Sequence, residues 1–116
     1  MFLVLFVLND AERLGDILNA WEKVGVPGIT ILHSSGLGRA RQQSGIWDDL
    51  PLMPSLQSLL EHEELFSRTL FTVVKEEGMV DKLVSATQDV IGDLNLPGTG
   101  LLVVLPVSKV YGLAKI

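Results

Sequence analysis

The sequence predicts an α+β fold in which a four-stranded antiparallel sheet carries two helices on one face. Two observations predict it. Two strand–helix–strand units follow each other along the chain, and each unit has a Pro-Gly pair before its second strand. Right-handed crossovers in two such units give the split βαβ, or ferredoxin-like, arrangement. We expect one domain over residues 1–116, with a long inserted loop at about 36–67.

The first unit begins with the apolar run Phe2–Leu8, which fits a strand with two apolar faces. Asn9 followed by Glu12 predicts a capping pair that opens a helix. The apolar residues that share one side of this helix are Leu14, Ile17, Leu18 and Trp21. The helix is expected to end near Gly25, and a turn then leads into a strand at residues 29–34.

The second unit repeats this order, with strands at residues 68–74 and 101–107 and a helix at 79–91. The apolar residues on one side of that helix are Val80, Leu83, Val84 and Ile91. Between the two units lies the long loop, in which the spacing of leucines predicts a short helix at residues 55–64. The loop is long for a connection inside a compact domain, so we expect it to be functional.

Both faces of the predicted sheet are apolar, although two helices can cover only one. Apolar residues occupy alternate positions on both faces of the strands at 2–8 and 101–107. Each large apolar side chain left in water forgoes roughly 1.5–3 kcal/mol, and a patch of several usually marks an interface. We therefore expect a homo-oligomer that closes over the uncovered face of the sheet.

Composition excludes several classes of protein. The longest apolar runs are far shorter than the roughly 20 residues that span a bilayer, so we expect a protein that is not embedded in a membrane. The first residues lack the pattern of a secretory signal, and a cytoplasmic location is expected. The absence of cysteine excludes disulfides and thiol chemistry. A net charge of −5 argues against a nucleic-acid binder.

Catalytic motifs are missing from the sequence. His33 and His62 are the only histidines, and neither lies in a metal-binding or nucleophile motif. Asp48 and Asp49 are adjacent, but such a pair in a loop is usually a solvated acidic tip. We therefore do not expect an enzyme.

Two glycine segments are the best candidates for ligand binding. Gly36, Gly38 and Arg39 could offer backbone N–H groups and a guanidinium to phosphate oxygens. Gly98, Thr99 and Gly100, which we name the glycine turn, form a second such segment, expected at the other end of the sheet. On pattern alone, glycines that simply make tight turns are the favoured interpretation.

The same segments resemble the P-II signal-transduction proteins. That family has a strand beginning Gly-aliphatic-Thr, followed at a fixed distance by Gly-x-Gly-Arg. The residues at these spacings are Gly28, Thr30, Gly36, Gly38 and Arg39. Residues 96–107, Leu-Pro-Gly-Thr-Gly-Leu-Leu-Val-Val-Leu-Pro-Val, resemble the family's glycine turn and its strand ending in Leu-Pro-Val. The resemblance covers most of the chain in order, and the loop between differs.

The resemblance implies a homotrimer whose sheets face its centre, with an adenine nucleotide held between subunits as a regulatory ligand. No cofactor is required. The positions that match the family's site are Thr30, Gly36, Gly38 and Arg39 of one subunit, and Gly98, Thr99 and Gly100 of the next. The ligand would order or release the 36–67 loop, and the loop would bind or free a target enzyme or transporter. The candidate partner-binding residues are Arg41, Trp47, Asp48 and Asp49.

Several positions depart from the family's pattern. Leu101 replaces a lysine that helps to hold phosphate, and Gly112 and Ala114 replace two arginines. Loss of three cations removes charge-assisted bonds of roughly 1.5–3 kcal/mol each, so tight ATP binding is not expected. A nucleoside monophosphate, a cyclic nucleotide, compensation by Lys109 and Lys115, and an empty site all stay open.

Regulation through a modified loop tyrosine, which some family members use, is not expected, because the only tyrosine is Tyr111, near the C-terminus. Two other functions stay open. One is a trimeric scaffold that has lost its ligand. The other is a metal-binding or metal-tolerance protein on the same trimeric fold, which would require His33, Asp48 and Asp49 to converge.

Overall fold

The computed structural model describes residues 1–36 and 66–113. In these residues the chain forms strands β1 (Phe2–Leu8), β2 (Thr30–Ser35), β3 (Phe66–Val74) and β4 (Leu101–Pro106). Helix α1 (Leu14–Val24) follows a short 3-10 helix (Ala11–Arg13), and helix α2 (Glu77–Ile91) connects β3 to β4. No helix within the described ranges is long and apolar enough to cross a membrane.

The four strands form one antiparallel sheet in the order β2-β3-β1-β4. β1 is a central strand, and its residues Val4, Phe6 and Leu8 are fully buried. They pack with Ile17 and Trp21 of α1. The other fully or nearly buried apolar residues of this core are Leu70, Val74, Val80 and Leu83. The core therefore lies between one sheet face and both helices, which confirms the ferredoxin-like α+β fold.

The two helices are joined by a buried hydrogen-bond chain. The indole Nε1–H of Trp21 in α1 donates to the hydroxyl of Thr87 in α2 at 2.9 Å. That hydroxyl donates in turn to the carbonyl of Leu83, one helical turn earlier, at 2.7 Å. Arg13 adds a second link, because its guanidinium donates to the carbonyl of Val90 in the last turn of α2. Such carbonyls have no partner inside their own helix.

The start of the first helical segment differs from its prediction. Asp10, and not Asn9, is the N-cap, since its carboxylate accepts from the N–H of Glu12 at 3.1 Å. Asp side chains commonly accept from the backbone two residues further on. The 3-10 turn before α1 is closed by the backbone N–H of Arg13, which donates to the carbonyl of Asp10 at 3.0 Å. The predicted end at Gly25 is confirmed, with Gly25 at φ +95° in the left-handed region.

The second unit also begins earlier than its pattern predicts. β3 starts at Phe66 instead of residue 68, and α2 starts at Glu77 instead of residue 79. The additional β3 residues pair with the end of β2, where Ser34 lies opposite Ser67. Strand pairing thus extends to the base of the predicted 36–67 loop. The rest of that loop and its predicted helix at 55–64 lie outside the described residues.

The opposite face of the sheet, which we name the open face, carries an apolar set that no described helix covers. Alternation along the paired strands places these side chains together. The set is Leu3, Leu5, Val7, Leu32, Phe71, Val73, Leu101, Val103 and Leu105. Leu32, Leu101 and Leu105 are 50%, 60% and 47% exposed. The prediction that both faces are apolar is confirmed.

Replacing Thr87 with valine tests the chain of bonds between the helices. The change keeps the shape of the side chain and removes the acceptor of the buried Trp21 N–H. We expect Thr87→Val to lower the free energy of unfolding by roughly 1–3 kcal/mol, as for an orphaned buried donor. Urea denaturation at one fixed protein concentration measures it. Thr87→Ser keeps the hydroxyl and serves as the control; equal stability of the valine and serine variants would contradict the role of this bond.

Candidate ligand site

Gly36, the described residue of the first glycine segment, and the glycine turn lie at the same end of the sheet, on opposite edges. β1 and β2 run in one direction and β3 and β4 in the other, so Gly36 after β2 and the glycine turn before β4 share one end. The prediction that they lie at different ends is wrong, because chain order does not show strand direction. β3 and β1 separate them, which amounts to about 14 Å across the sheet. A single chain therefore does not close a small ligand between them.

Gly100 is required by the packing of β4 on β1. Its φ is +128°, and an added Cβ would collide with the carbonyl oxygen of Val7 and lie 2.9 Å from Cε1 of Phe6. Gly98 is also in the left-handed region, with φ +82°, but an added Cβ would meet no atom within 4 Å. At both positions the backbone conformation favours glycine, as the tight-turn interpretation predicted. Only at Gly100 would a side chain also collide with neighbouring atoms.

The glycine turn is held in shape by internal hydrogen bonds. The hydroxyl of Thr99 donates to the carbonyl of Leu96 at 2.9 Å and lies 3.3 Å from that of Leu94. The side-chain oxygen of Gln88 accepts from the N–H of Leu94 at 3.1 Å, which ties the turn to the end of α2. Thr99 therefore uses its hydroxyl within the turn.

Thr30 does not lie beside Gly36. It is the first residue of β2, is exposed, and pairs with Phe71. Gly36 follows the opposite end of the same strand, about 20 Å away at the usual rise per residue. Only an elongated ligand could contact both residues.

Three hydroxyl groups that no sequence motif marks meet on the open face near Gly36. The Ser34 hydroxyl lies 2.7 Å from that of Ser67 and 2.9 Å from that of Thr69. Ser67 is only 3% exposed, whereas Ser34 and Thr69 are half-buried. We name Ser34, Ser67 and Thr69 the hydroxyl cluster. Ser34 is 33 positions from Ser67 in the chain, so only the pairing of β2 with β3 reveals the group.

The segment that contains the glycine turn has no cationic side chain of its own, whereas Arg13 of the 3-10 helix lines a cavity of about 170 Å³ together with Gly98 and Thr99. Residues 92–108 include no lysine, arginine or histidine, and Asp93 is their only charged residue. Leu96 and Leu101, on either side of the turn, are 58% and 60% exposed. Lys109 follows the opposite end of β4, so within one chain it does not compensate for Leu101.

The C-terminal segment also lies at that opposite end. Leu113 lines a cleft of about 460 Å³ together with residues from the end of β3 and the start of α2. The neighbouring Gly112, at φ +97°, is therefore remote from the glycine turn of its own chain. Ala114 and Lys115 lie outside the described residues.

The metal hypothesis gains no support from the described part of the chain. His33 lies opposite Arg68 in the sheet, on the face that carries the helices. No group of three histidine, aspartate or glutamate side chains that could hold a metal ion occurs in residues 1–36 and 66–113. The other candidate residues, which lie outside those ranges, are Gly38, Arg39, Arg41, Trp47, Asp48 and Asp49.

The described residues define a small ferredoxin-like α+β domain with Gly36 and the glycine turn at one end of its sheet. The family model described as Nitrogen regulatory protein P-II matches residues 3–115. The chain belongs to this family, and the resemblance seen in the sequence is confirmed. It is accordingly a regulatory signalling protein. A comparison with curated proteins finds no match.

Alanine substitutions at Gly98 and Gly100 distinguish the conformational requirement for glycine from the steric one. Gly98→Ala places a Cβ in open space at positive φ and should lower the free energy of unfolding by roughly 1–2 kcal/mol. Gly100→Ala adds the collision with β1, and should lower it by a further 1–3 kcal/mol or so. Thermal or urea unfolding measures both. Equal losses in the two variants would show that β1 yields to the new methyl group.

Proposed function

We propose that the protein is a trimeric P-II-like sensor that binds an adenine nucleotide, or a related small molecule, between subunits. Binding controls a target protein through the 36–67 loop. The observation that carries the proposal is the placement of Gly36 and the glycine turn at one end of the sheet but on opposite edges. A ligand that contacts both requires a neighbouring chain to supply one of them.

The open face supports an assembly of this kind. It is an apolar surface with three leucines that are about half exposed or more, and burial of such groups drives association. An oligomer closed over this face can bring the β2 edge of one chain against the β4 edge of the next. Membership of the P-II family supports three as the number of subunits.

The proposed site takes Gly36, Gly38 and Arg39 from one subunit and the glycine turn from the next. Thr30, at the opposite end of β2, belongs to the site only if the ligand is as elongated as a nucleotide with its phosphate chain. Because the hydroxyl of Thr99 is used within the turn, the turn would contribute its shape and backbone rather than that side chain. The ligand is a regulatory effector and no cofactor is required. We propose no catalytic step, and a cytoplasmic location stays a prediction.

Control through the loop follows from where the loop is attached. Gly36 follows β2 directly, and Ser35 at the end of β2 lies opposite Phe66 at the start of β3. Both stems of the loop are therefore adjacent to Gly36. A ligand bound there would act on both stems, and the residues proposed to contact a target enzyme or transporter are Arg41, Trp47, Asp48 and Asp49.

A trimeric scaffold without a ligand is the second candidate. It is favoured by the absence of cations in residues 92–108 and by the structural reasons found for Gly100 and Thr99. Under this proposal the glycine turn serves packing alone, and the 36–67 loop recognises protein without a small-molecule signal.

The assembly is tested by placing a charge on the open face. Leu105→Asp puts a carboxylate where the proposed interface excludes water, and we expect it to abolish the trimer, because burial of an unpaired charge is strongly unfavourable. Sedimentation velocity measures the mass. Val104→Asp makes a similar change at the preceding residue of β4, which is 37% exposed and lies on the face that carries the helices, and it should leave the trimer intact. A monomeric wild-type protein, or trimers in both variants, would contradict the proposed interface.

The ligand is tested with a thermal-shift panel of adenine nucleotides, cyclic nucleotides, bicarbonate, 2-oxoglutarate and divalent metals. A compound at about 100 times its dissociation constant should stabilise the wild type by roughly 2.7 kcal/mol. We expect Arg39→Ala to lose this stabilisation and Arg41→Ala, which removes the same charge from the loop, to keep it. If no compound stabilises the wild type, the sensor proposal is contradicted and the trimeric scaffold without a ligand is the function supported.

A further inference from the structure

An open cleft of about 770 Å³ lies between α1 and α2, and we name it the helix cleft. Its walls are exposed or half-buried side chains, whereas Trp21 and Leu83, which pack toward the sheet, do not line it. The cleft therefore lies on the outer side of the helices. The open face is on the other side of the sheet, so an oligomer closed over that face leaves the helix cleft accessible.

Each helix contributes the same arrangement of side chains to the cleft. Four residues of each helix follow the spacing i, i+3, i+4, i+7, which places them on one side of the helix. In both sets a charged residue stands at each end, the two charges are opposite, and an alanine lies near the middle. The sets are Asp16, Asn19, Ala20 and Lys23 of α1, and Lys82, Ser85, Ala86 and Asp89 of α2.

The direction of the helices separates the charges in the cleft by sign. Bonds from Trp21 to Thr87 and from Arg13 to Val90 show that α1 and α2 are antiparallel. The two aspartates therefore share one end of the cleft and the two lysines the other, about 10 Å away at the usual rise per residue. Arg13 lines the aspartate end, so the formal charges there sum to −1, against +2 at the lysine end.

Most of these charges are available to a partner. Lys23, Lys82 and Asp89 are exposed, and none of them forms an ion pair with another residue in 1–36 or 66–113. Asp16 has one such contact, since its Oδ2 lies 3.4 Å from Nε of Arg13. A carboxylate has a second oxygen that can accept from another cation.

The arrangement is complementary to itself. A second copy turned by 180° about an axis across the cleft places its lysines over the aspartates of the first copy. Asp16 then faces Lys23 of the second copy, and Asp89 faces Lys82 of the second copy. The axis passes the midpoint of both sets, beside an alanine in each helix, and these small side chains let the copies approach closely.

We propose that the helix cleft is a pairing surface for a second copy of this chain, held by four Lys–Asp ion pairs. The contact is isologous, because each copy presents the same surface and each ion pair occurs twice. It lies on the side of the sheet opposite the open face, so it joins separate trimers and requires no ligand.

The contact is weak and depends on salt. α1 and α2 are about 16 and 22 Å long and each about 10 Å wide, so they cover on the order of 400 Å² per copy. A stable interface covers roughly 800 Å² per partner. Exposed ion pairs each contribute little and are screened by salt. We therefore expect reversible association that increases with protein concentration and decreases with salt.

Sedimentation velocity of the full-length protein at about 0.1 M and about 1 M salt tests the pairing. At the lower salt, the mass of the wild type should rise above that of the trimer as the protein concentration increases. At the higher salt it should stay at the trimer. The net charge of −5 repels two copies at the lower salt, so association there requires a local attraction.

Two double variants test the match of charges. Lys23→Glu with Lys82→Glu makes the four end residues acidic, and Asp16→Lys with Asp89→Lys makes them basic. Each variant should associate at least about tenfold more weakly than the wild type, because like charges then face each other. An equimolar mixture of the two variants should associate at least as strongly as the wild type, since opposite charges again face each other.

A matched control changes the same net charge outside the cleft. Glu22→Lys with Asp81→Lys alters exposed residues of the same two helices that do not line the cleft, and it should associate like the wild type. Circular dichroism melts check that every variant folds.

The outcomes are decisive for the pairing alone. A wild-type mass that does not rise with concentration at the lower salt overturns it. So does association of either cleft variant equal to that of the wild type, or failure of the mixture to associate. The mass at the higher salt reports the proposed trimer separately, so the two proposals fail by different measurements.

Discussion

The structure depends on the burial of β1. This strand is apolar at every position and lies in the middle of the sheet, so both of its faces must leave water. The helices cover one face, where Val4, Phe6 and Leu8 are fully buried. The other face is the open face. One constraint thus accounts for the hydrophobic core in each chain and for the apolar surface that makes association favourable.

The glycine turn shows how packing and a candidate ligand site share the same residues. Gly100 lets β4 approach β1 closely, and Thr99 and Gln88 hold the preceding residues in place. A turn held by these bonds and contacts has little conformational freedom. The two glycines are therefore not evidence of ligand binding by themselves, because the backbone conformation or packing of the chain already requires each of them.

Charge is unevenly distributed around the glycine turn. The segment 92–108, which contains the turn, has Asp93 as its one charged residue. Asp10 and Arg13, from the start of the first helical segment, line a cavity beside Gly98 and Thr99. The charged groups beside the turn therefore come from a distant part of the chain, and the fold brings them there.

The order of strands and helices was predictable because local periodicity determines it. The alternation in Phe2–Leu8 and the helical spacing of Ile17, Trp21, Val80 and Leu83 are visible in the sequence alone, and together they indicate the fold and the apolar open face. Strand direction and register are tertiary properties. They place Gly36 and the glycine turn at one end of the sheet, bring Ser34 to Ser67, and join Trp21 to Thr87. Those contacts link residues far apart in the chain, where no local pattern can indicate that they meet.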